Sequence, residues 1–105
     1  MIHVKLYSLH GEINGFEISG HSDYAEEGND IVCASVSSCA YMVANTATEV
    51  VGLDADISVE DGYMSVRFAA GDAARIKDIM RGFEMHMKAL ADDYGEYIVC
   101  EKENI

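Results

Sequence analysis

A histidine and a cysteine stand close together in the stretch Gly-His-Ser-Asp-Tyr-Ala-Glu-Glu-Gly-Asn-Asp-Ile-Val-Cys-Ala, residues 20 to 34, with eleven residues between His21 and Cys33. From Ile31 onward the chain reads as helix. Asp30 suits its N-cap, because a short carboxylate side chain accepts hydrogen bonds from the unpaired N–H groups of a first turn. Cys33 then takes the third helical position, where the partial positive charge of the helix end favours thiolate over thiol. Glycines at 20 and 28 let the intervening loop fold back, so that His21 serves as base or imidazolium partner to a Cys33 nucleophile. In that chemistry Cys33 attacks a scissile carbonyl, and the backbone N–H of Cys33 or Ala34 receives the oxyanion at the helix start. Structural jobs compete for the same residues. Cys33 also suits a small buried apolar position, Asp30 a cap rather than a histidine-orienting group, and Gly20 and Gly28 ordinary turns.

This stretch resembles the ribosomal-processing cysteine proteases (Prp). Their pattern is Gly-His-Ala, a Tyr three residues after the His, then Gly-x-Asp-Ile-Val-Cys-Ala. It stands here as Gly20-His21-Ser22, Tyr24, and Gly28-Asn29-Asp30-Ile31-Val32-Cys33-Ala34. Ser22 is the one departure, a small residue in place of a small residue. Chain length and the order of elements are similar over the whole chain. The resemblance implies that His21 and Cys33 form the catalytic pair of an endopeptidase. Its implied substrate is the N-terminal extension of large-subunit ribosomal protein twenty-seven, and it also implies a homodimer.

At 105 residues and 50% hydrophobic, the chain suits one domain over residues 1–105, with a core but no internal linker. Nineteen acidic against seven basic residues give a formal net charge of −12, which argues against binding nucleic acid and for a basic protein or peptide as partner. Asp23, Glu26 and Glu27 in the loop are placed to steer such a substrate by charge. Cysteines at 33, 39 and 100 are odd in number and widely spread, as expected in a reducing compartment. No apolar run approaches the roughly 18 residues of a membrane span, and a cytoplasmic protein without membrane attachment is expected. No cofactor is expected.

The elements that must position the pair read as strand, strand, helix, strand, strand, helix, strand, an α+β domain with two helices packed on a β-sheet. Residues 2 to 8 alternate Ile2, Val4 and Leu6 against His3, Lys5 and Tyr7. Residues 13 to 19 form a second strand that delivers the chain to Gly20-His21. A helix from 31 to about 51 carries Val32, Val36, Ala40, Val43, Ala47 and Val50 as one stripe, with Cys39 beside it and Gly52 as its stop. Residues 55 to 60 and 63 to 69 form a hairpin about Asp61-Gly62. A long helix opened by Gly71-Asp72 runs to about Asp93, with Ile76, Ile79, Met80, Phe83, Met87 and Leu90 inward and Glu84 among the outward charges. A last strand spans Tyr97 to Cys100, and Glu101 to Ile105 read as a frayed tail. Glu96, Glu101 and Glu103 are expected to raise the Cys100 pKa.

Two further classes of function remain open on the residues alone. One is a noncatalytic acidic adaptor that masks a basic ribosomal protein. The other is a metal site from His21, Cys33 and Asp23 or Glu26, a thin ligand set for a structural metal.

Overall fold

Side-chain alternation sends one face of the first hairpin into the core. In the computed structural model, which describes residues 1–26 and 28–105, β1 (Ile2–Leu9) turns Ile2, Val4 and Leu6 inward and His3 outward. β2 (Glu12–Ser19) returns antiparallel, with Phe16 opposite Leu6 and Ile18 opposite Val4. Both central turn residues have positive φ, 53° at His10 and 82° at Gly11, a geometry whose twist suits a two-residue hairpin. Tyr7 faces Gly15 while Ser8 faces Ile13, so Asn14 is the extra residue of a bulge.

α1 (Ile31–Asn45) buries Val32, Val36, Ala40 and Val43 in the same core as Ile2, Val4 and Phe16. The chain then winds into a π-helical turn, Thr46–Val50, rather than continuing as α-helix to 51. Thr46 and Thr48 direct their hydroxyls to the carbonyls of Met42 (2.8 Å) and Ala44 (3.0 Å), competing with the regular ladder. The wider turn carries Val50 off the apolar stripe, and it is 79% exposed where burial was expected. Gly52, at φ +85°, ends the helix as its sequence position suggests. Together Ile31–Val50 is long and apolar enough to cross a membrane by length and composition alone, with a mean hydropathy of 1.3. Scattered Ser and Thr interrupt its apolar residues, and core contacts of Val32, Val36, Ala40, Val43, Ala44 and Ala47 use part of them while Ile31, Tyr41, Met42 and Val50 stay exposed.

β3 (Ala55–Glu60) and β4 (Tyr63–Phe68) form the second hairpin, with Met64, Val66 and Phe68 inward. A short 3-10 segment, Ala70–Ile76, precedes α2 (Lys77–Asp93), which therefore starts later than Gly71-Asp72 suggested. Met80, Phe83 and Met87 are buried, and the Phe83 ring lies 4.6 Å from that of Phe16. Glu84 is also buried, contrary to its expected place among the outward charges. It lies 3.3 Å from the Lys88 ammonium and 3.1 Å from that of Lys102, and these two cations make its burial tolerable.

Lys102 comes from β5 (Ile98–Asn104), which runs parallel to β1 from Ile2–Ile98 to Ser8–Asn104. The expected frayed tail is thus a strand. The free edge of β1 supplies its backbone partners, and Glu84 supplies the counter-charge for its lysine. The sheet is mixed, in the order β3-β4-β2-β1-β5, with two helices packed against it.

Gly15 marks a close approach inside this sheet. A β-carbon there would lie 2.6 Å from the Val66 carbonyl oxygen of β4. Both residues belong to paired strands, so neither backbone yields easily. Gly15→Ala should destabilise the fold by about 1–3 kcal/mol, measurable as a lowered midpoint in thermal unfolding. An unchanged midpoint would show that the β2–β4 ladder has slack.

Candidate active site

β2 ends at Ser19, and the next residues are held by the far hairpin. The N–H of Gly20 donates to the carbonyl of Gly62, 2.9 Å away in the β3–β4 turn. Gly20 has φ +92°, and a side chain there would strike the Met1 carbonyl, so glycine is required twice over. The His21 ring lies directly over Gly62: a β-carbon on that glycine would come within 2.7 Å of Nε2. Gly62 itself has φ +68°. The Asp-Gly turn read from sequence as a hairpin signal is therefore also the seat of the imidazole.

Across the cleft, Asp30 caps α1 as its sequence position suggests. Its Oδ1 accepts the N–H of Val32 at 3.0 Å and of Cys33 at 2.9 Å. Its Oδ2 accepts the hydroxyl of Ser22 and, at 3.4 Å, the N–H of Ala25. Burial alone would push this carboxyl up. The Ser22 hydroxyl and the Cys33 and Ala25 amides more than offset it and hold the pKa at about 2. Both oxygens are committed to the helix start and the loop, and among the described residues none of the Asp30 bonds reaches His21. Asp30 is a cap and anchor here, and does not orient the histidine.

Cys33 sits in the first turn of α1, half-buried. Its thiol meets Ser22 twice: the Ser22 N–H donates to Sγ at 3.4 Å, and Sγ lies 3.5 Å from Ser22 Oγ. No hydrogen bond among the described residues joins the thiol to the imidazole, although His21 and Cys33 line one cleft of about 630 Å³. The N–H of Cys33 is taken by Asp30 Oδ1, and that of Ala34 donates to the Asp30 carbonyl at 3.1 Å. Both amides expected to receive an oxyanion are thus engaged by Asp30 in this arrangement.

Asp23 lines the same cleft, and Glu60 and Asp61 join it from the hairpin. Glu26 is exposed, and its carbonyl accepts the N–H of Asn29 at 3.0 Å. Glu27 lies outside the described residues. Gly28 has φ +89° with open space around it, as a turn glycine should. Tyr24 stacks edge-on against Tyr97 (5.2 Å) and Tyr94 (6.1 Å), tying the loop to the far end of α2. Of the other thiols, burial pushes Cys39 up. Burial also leads at Cys100, where Lys88 opposes it and Glu84 and Glu101 add to it. Of the acids expected to act on Cys100, Glu101 does, while burial is the larger cause. Among the described residues no group of three or more His, Cys, Asp and Glu side chains is arranged to hold a metal.

Ser22, Glu60, Asp61 and the ring seat at Gly62 escaped the sequence reading. Ser22 looked like a neutral replacement, and the other three become part of the site only once the strand order is known.

The family model for cysteine protease Prp matches residues 1–99 of the chain. A Bacillus subtilis (strain 168) protein named ribosomal processing cysteine protease Prp is 29% identical over 101 residues, 90% of each chain. A Staphylococcus aureus protein of the same name is 24% identical over 84% of this chain and 85% of its own. The fold superposes with a TM-score of 0.90 on the crystal structure of an essential ribosomal processing protease Prp from S. aureus in complex with a covalently linked product peptide. That match is 24% identical and covers 98% of this chain and 100% of that one. A Streptococcus mutans crystal structure superposes at 0.86 with 22% identity, covering 100% of this chain and 99% of its own.

The Asp30 cap has an acid signature. Its folded pKa lies below the ordinary 3.8, so its contribution is complete above 3.8 and is lost as pH falls toward about 2. Asp30→Asn keeps a capping oxygen but has no charge to lose. The gap in melting temperature between wild type and Asp30→Asn should narrow as pH falls through that window. A gap constant from neutral pH to acid would show that the carboxylate charge plays no part.

Proposed function

The chain belongs to the cysteine protease Prp family and is a cysteine protease, and on that premise we propose that it removes the N-terminal extension of large-subunit ribosomal protein twenty-seven, with Cys33 as nucleophile and His21 as base or ion-pair partner. The observation that carries this reading is the shared cleft, which is lined both by an imidazole seated on Gly62 and by a thiol in the first turn of a helix. His21 takes the thiol proton and Sγ attacks the scissile carbonyl. The imidazolium then returns the proton to the leaving amine, and water hydrolyses the thioester. Since thiol and imidazole are not bonded in the free protein, substrate binding has to bring them together. The B. subtilis and S. aureus relatives are named as ribosomal processing proteases, and the acidic lining of the cleft suits a basic ribosomal protein. A homodimer working in the cytoplasm is part of the same proposal.

Incubating the protein with that ribosomal protein and measuring product masses is the direct test. A shortened product is expected from wild type. Cys33→Ala and His21→Ala should each lower kcat by at least about a thousandfold while melting like wild type. Normal turnover by either variant would sink the pair. A substrate bound by wild type but never shortened would favour the acidic adaptor instead.

Salt should reveal the charge on the cleft. Screening shortens the reach of Asp23, Glu60 and Asp61 to a Debye length of about 8 Å at physiological ionic strength. kcat/KM for the full basic substrate should fall several-fold from low to moderate salt, while a short neutral peptide spanning the cut changes little. Equal salt responses would leave the acids no part in recruitment.

A further inference from the structure

His21 and Asp23 line the cleft, whereas Tyr24, next in the chain, sets its ring against Tyr97 and Tyr94. The chain changes direction at Asp23, whose φ of +57° lies in the left-handed region that a residue with a side chain seldom enters. The N–H of Tyr24 donates to Ser22 Oγ at 3.2 Å and closes the turn around it. Such a bend persists only where its surroundings hold it. The surface that Tyr24 meets is well fixed. The N–H of Tyr94 donates to the Leu90 carbonyl at 2.8 Å, and its own carbonyl accepts the N–H groups of Tyr97 at 2.8 Å and Ile98 at 3.0 Å. The Tyr97 carbonyl accepts the N–H of Ile2 at 2.8 Å, and both rings pack against the core. The platform is thus bonded to α2, β5 and β1.

We propose that Tyr24 is a positioning residue for His21. The Gly20–Gly62 hydrogen bond fixes the entry of the segment that carries the imidazole, and the Tyr24 ring, clamped on Tyr97 and Tyr94, fixes its exit. The imidazole is thereby kept over Gly62, and only its final approach to the thiol is left to substrate binding. The proposal rests on His21 and Cys33 being the catalytic pair. Among the described residues the Tyr24 hydroxyl makes no hydrogen bond, so the clamp is a matter of ring against ring. Phenylalanine at this position keeps it and alanine removes it.

Two measurements test it in the full chain. The first is amide hydrogen exchange without substrate, read at Gly20, four residues before the substitution. Its N–H should exchange about tenfold faster in Tyr24→Ala and at the wild-type rate in Tyr24→Phe. Unchanged exchange at Gly20 in Tyr24→Ala would overturn the proposal, because the clamp would then not reach the histidine's flank. The second is cleavage of the ribosomal protein bearing its N-terminal extension, below the melting temperature of every variant. Tyr24→Ala should lower kcat about ten- to hundredfold, the cost of a displaced catalytic group, with KM within about twofold of wild type. Tyr24→Phe should keep the wild-type kcat. Tyr97→Ala should act in like measure and add little to Tyr24→Ala, since both break one contact. A wild-type kcat in Tyr24→Ala, an equal loss in Tyr24→Phe, a loss in KM alone or additive losses in the double variant would each overturn the clamp. If wild type leaves the ribosomal protein whole, it is the proposed function that fails, and the exchange at Gly20 still decides whether Tyr24 holds the segment.

Discussion

The carboxylate of Asp30 is the interaction on which the site depends. One oxygen receives the first free amides of α1 and the other receives the loop, so a single side chain joins the helix that carries the thiol to the segment that carries the imidazole. The arrangement has an electrostatic cost. A fixed anion stands in the same helix turn whose amides would otherwise favour a thiolate, and it occupies the Cys33 amide that a nearby oxyanion would use. A helix start that was only an anion hole would leave those amides open. This one has exchanged some of that potential for a fixed sulfur position, with Ser22 as the bridge between sulfur and carboxylate.

The imidazole is fixed by quite different means. No side chain among the described residues orients His21. Its place is set by backbone, through the Gly20–Gly62 hydrogen bond and the flat seat that a glycine offers the ring. That seat exists because β4 lies next to β2 in the sheet, which brings the β3–β4 turn to the end of β2. The loop between the two halves is tied a third time by Tyr24, whose ring reaches Tyr94 and Tyr97 beyond α2. Two distant parts of the chain and the adjoining start of α1 thus converge on one short loop, and each holds it through a different kind of contact.

What the sequence disclosed follows that same division. The Asp30 cap, the Asp61-Gly62 turn, the inward Met64, Val66 and Phe68 and the stop at Gly52 all depend on near neighbours in the chain, and all were legible. The α+β class followed from their order. What stayed hidden depends on partners far away in sequence. Residues 101–104 look like a charged tail until β1 offers a free edge and Glu84 a counter-charge. Glu84 looks like an outward charge until two lysines converge on it. The π-helical turn came from threonine hydroxyls competing for carbonyls, a contest that an apolar stripe does not register. That His21 and Cys33 line one cleft was legible through their motif, whereas Ser22 acquires meaning only from the two atoms it lies between.

The acidity of the cleft is explained as much by where the few basic residues went as by the number of acids. Lys88 and Lys102 are drawn to buried Glu84, and Lys5 to Glu103 on the neighbouring strand. Arg67 lies over the Tyr7 ring at 3.8 Å, and Arg75 reaches the Val51 carbonyl. Some of these contacts are weak: Lys5 and Glu103 are both well exposed, and such pairs contribute less than about 1 kcal/mol. Their effect on the field does not depend on their strength, because they hold positive charge away from the cleft. No lysine or arginine is among the described residues lining the cleft, which carries Asp23, Asp30, Glu60 and Asp61. A low-dielectric wall with charge of one sign focuses potential into a groove, so these acids concentrate negative potential in the cleft that holds Cys33.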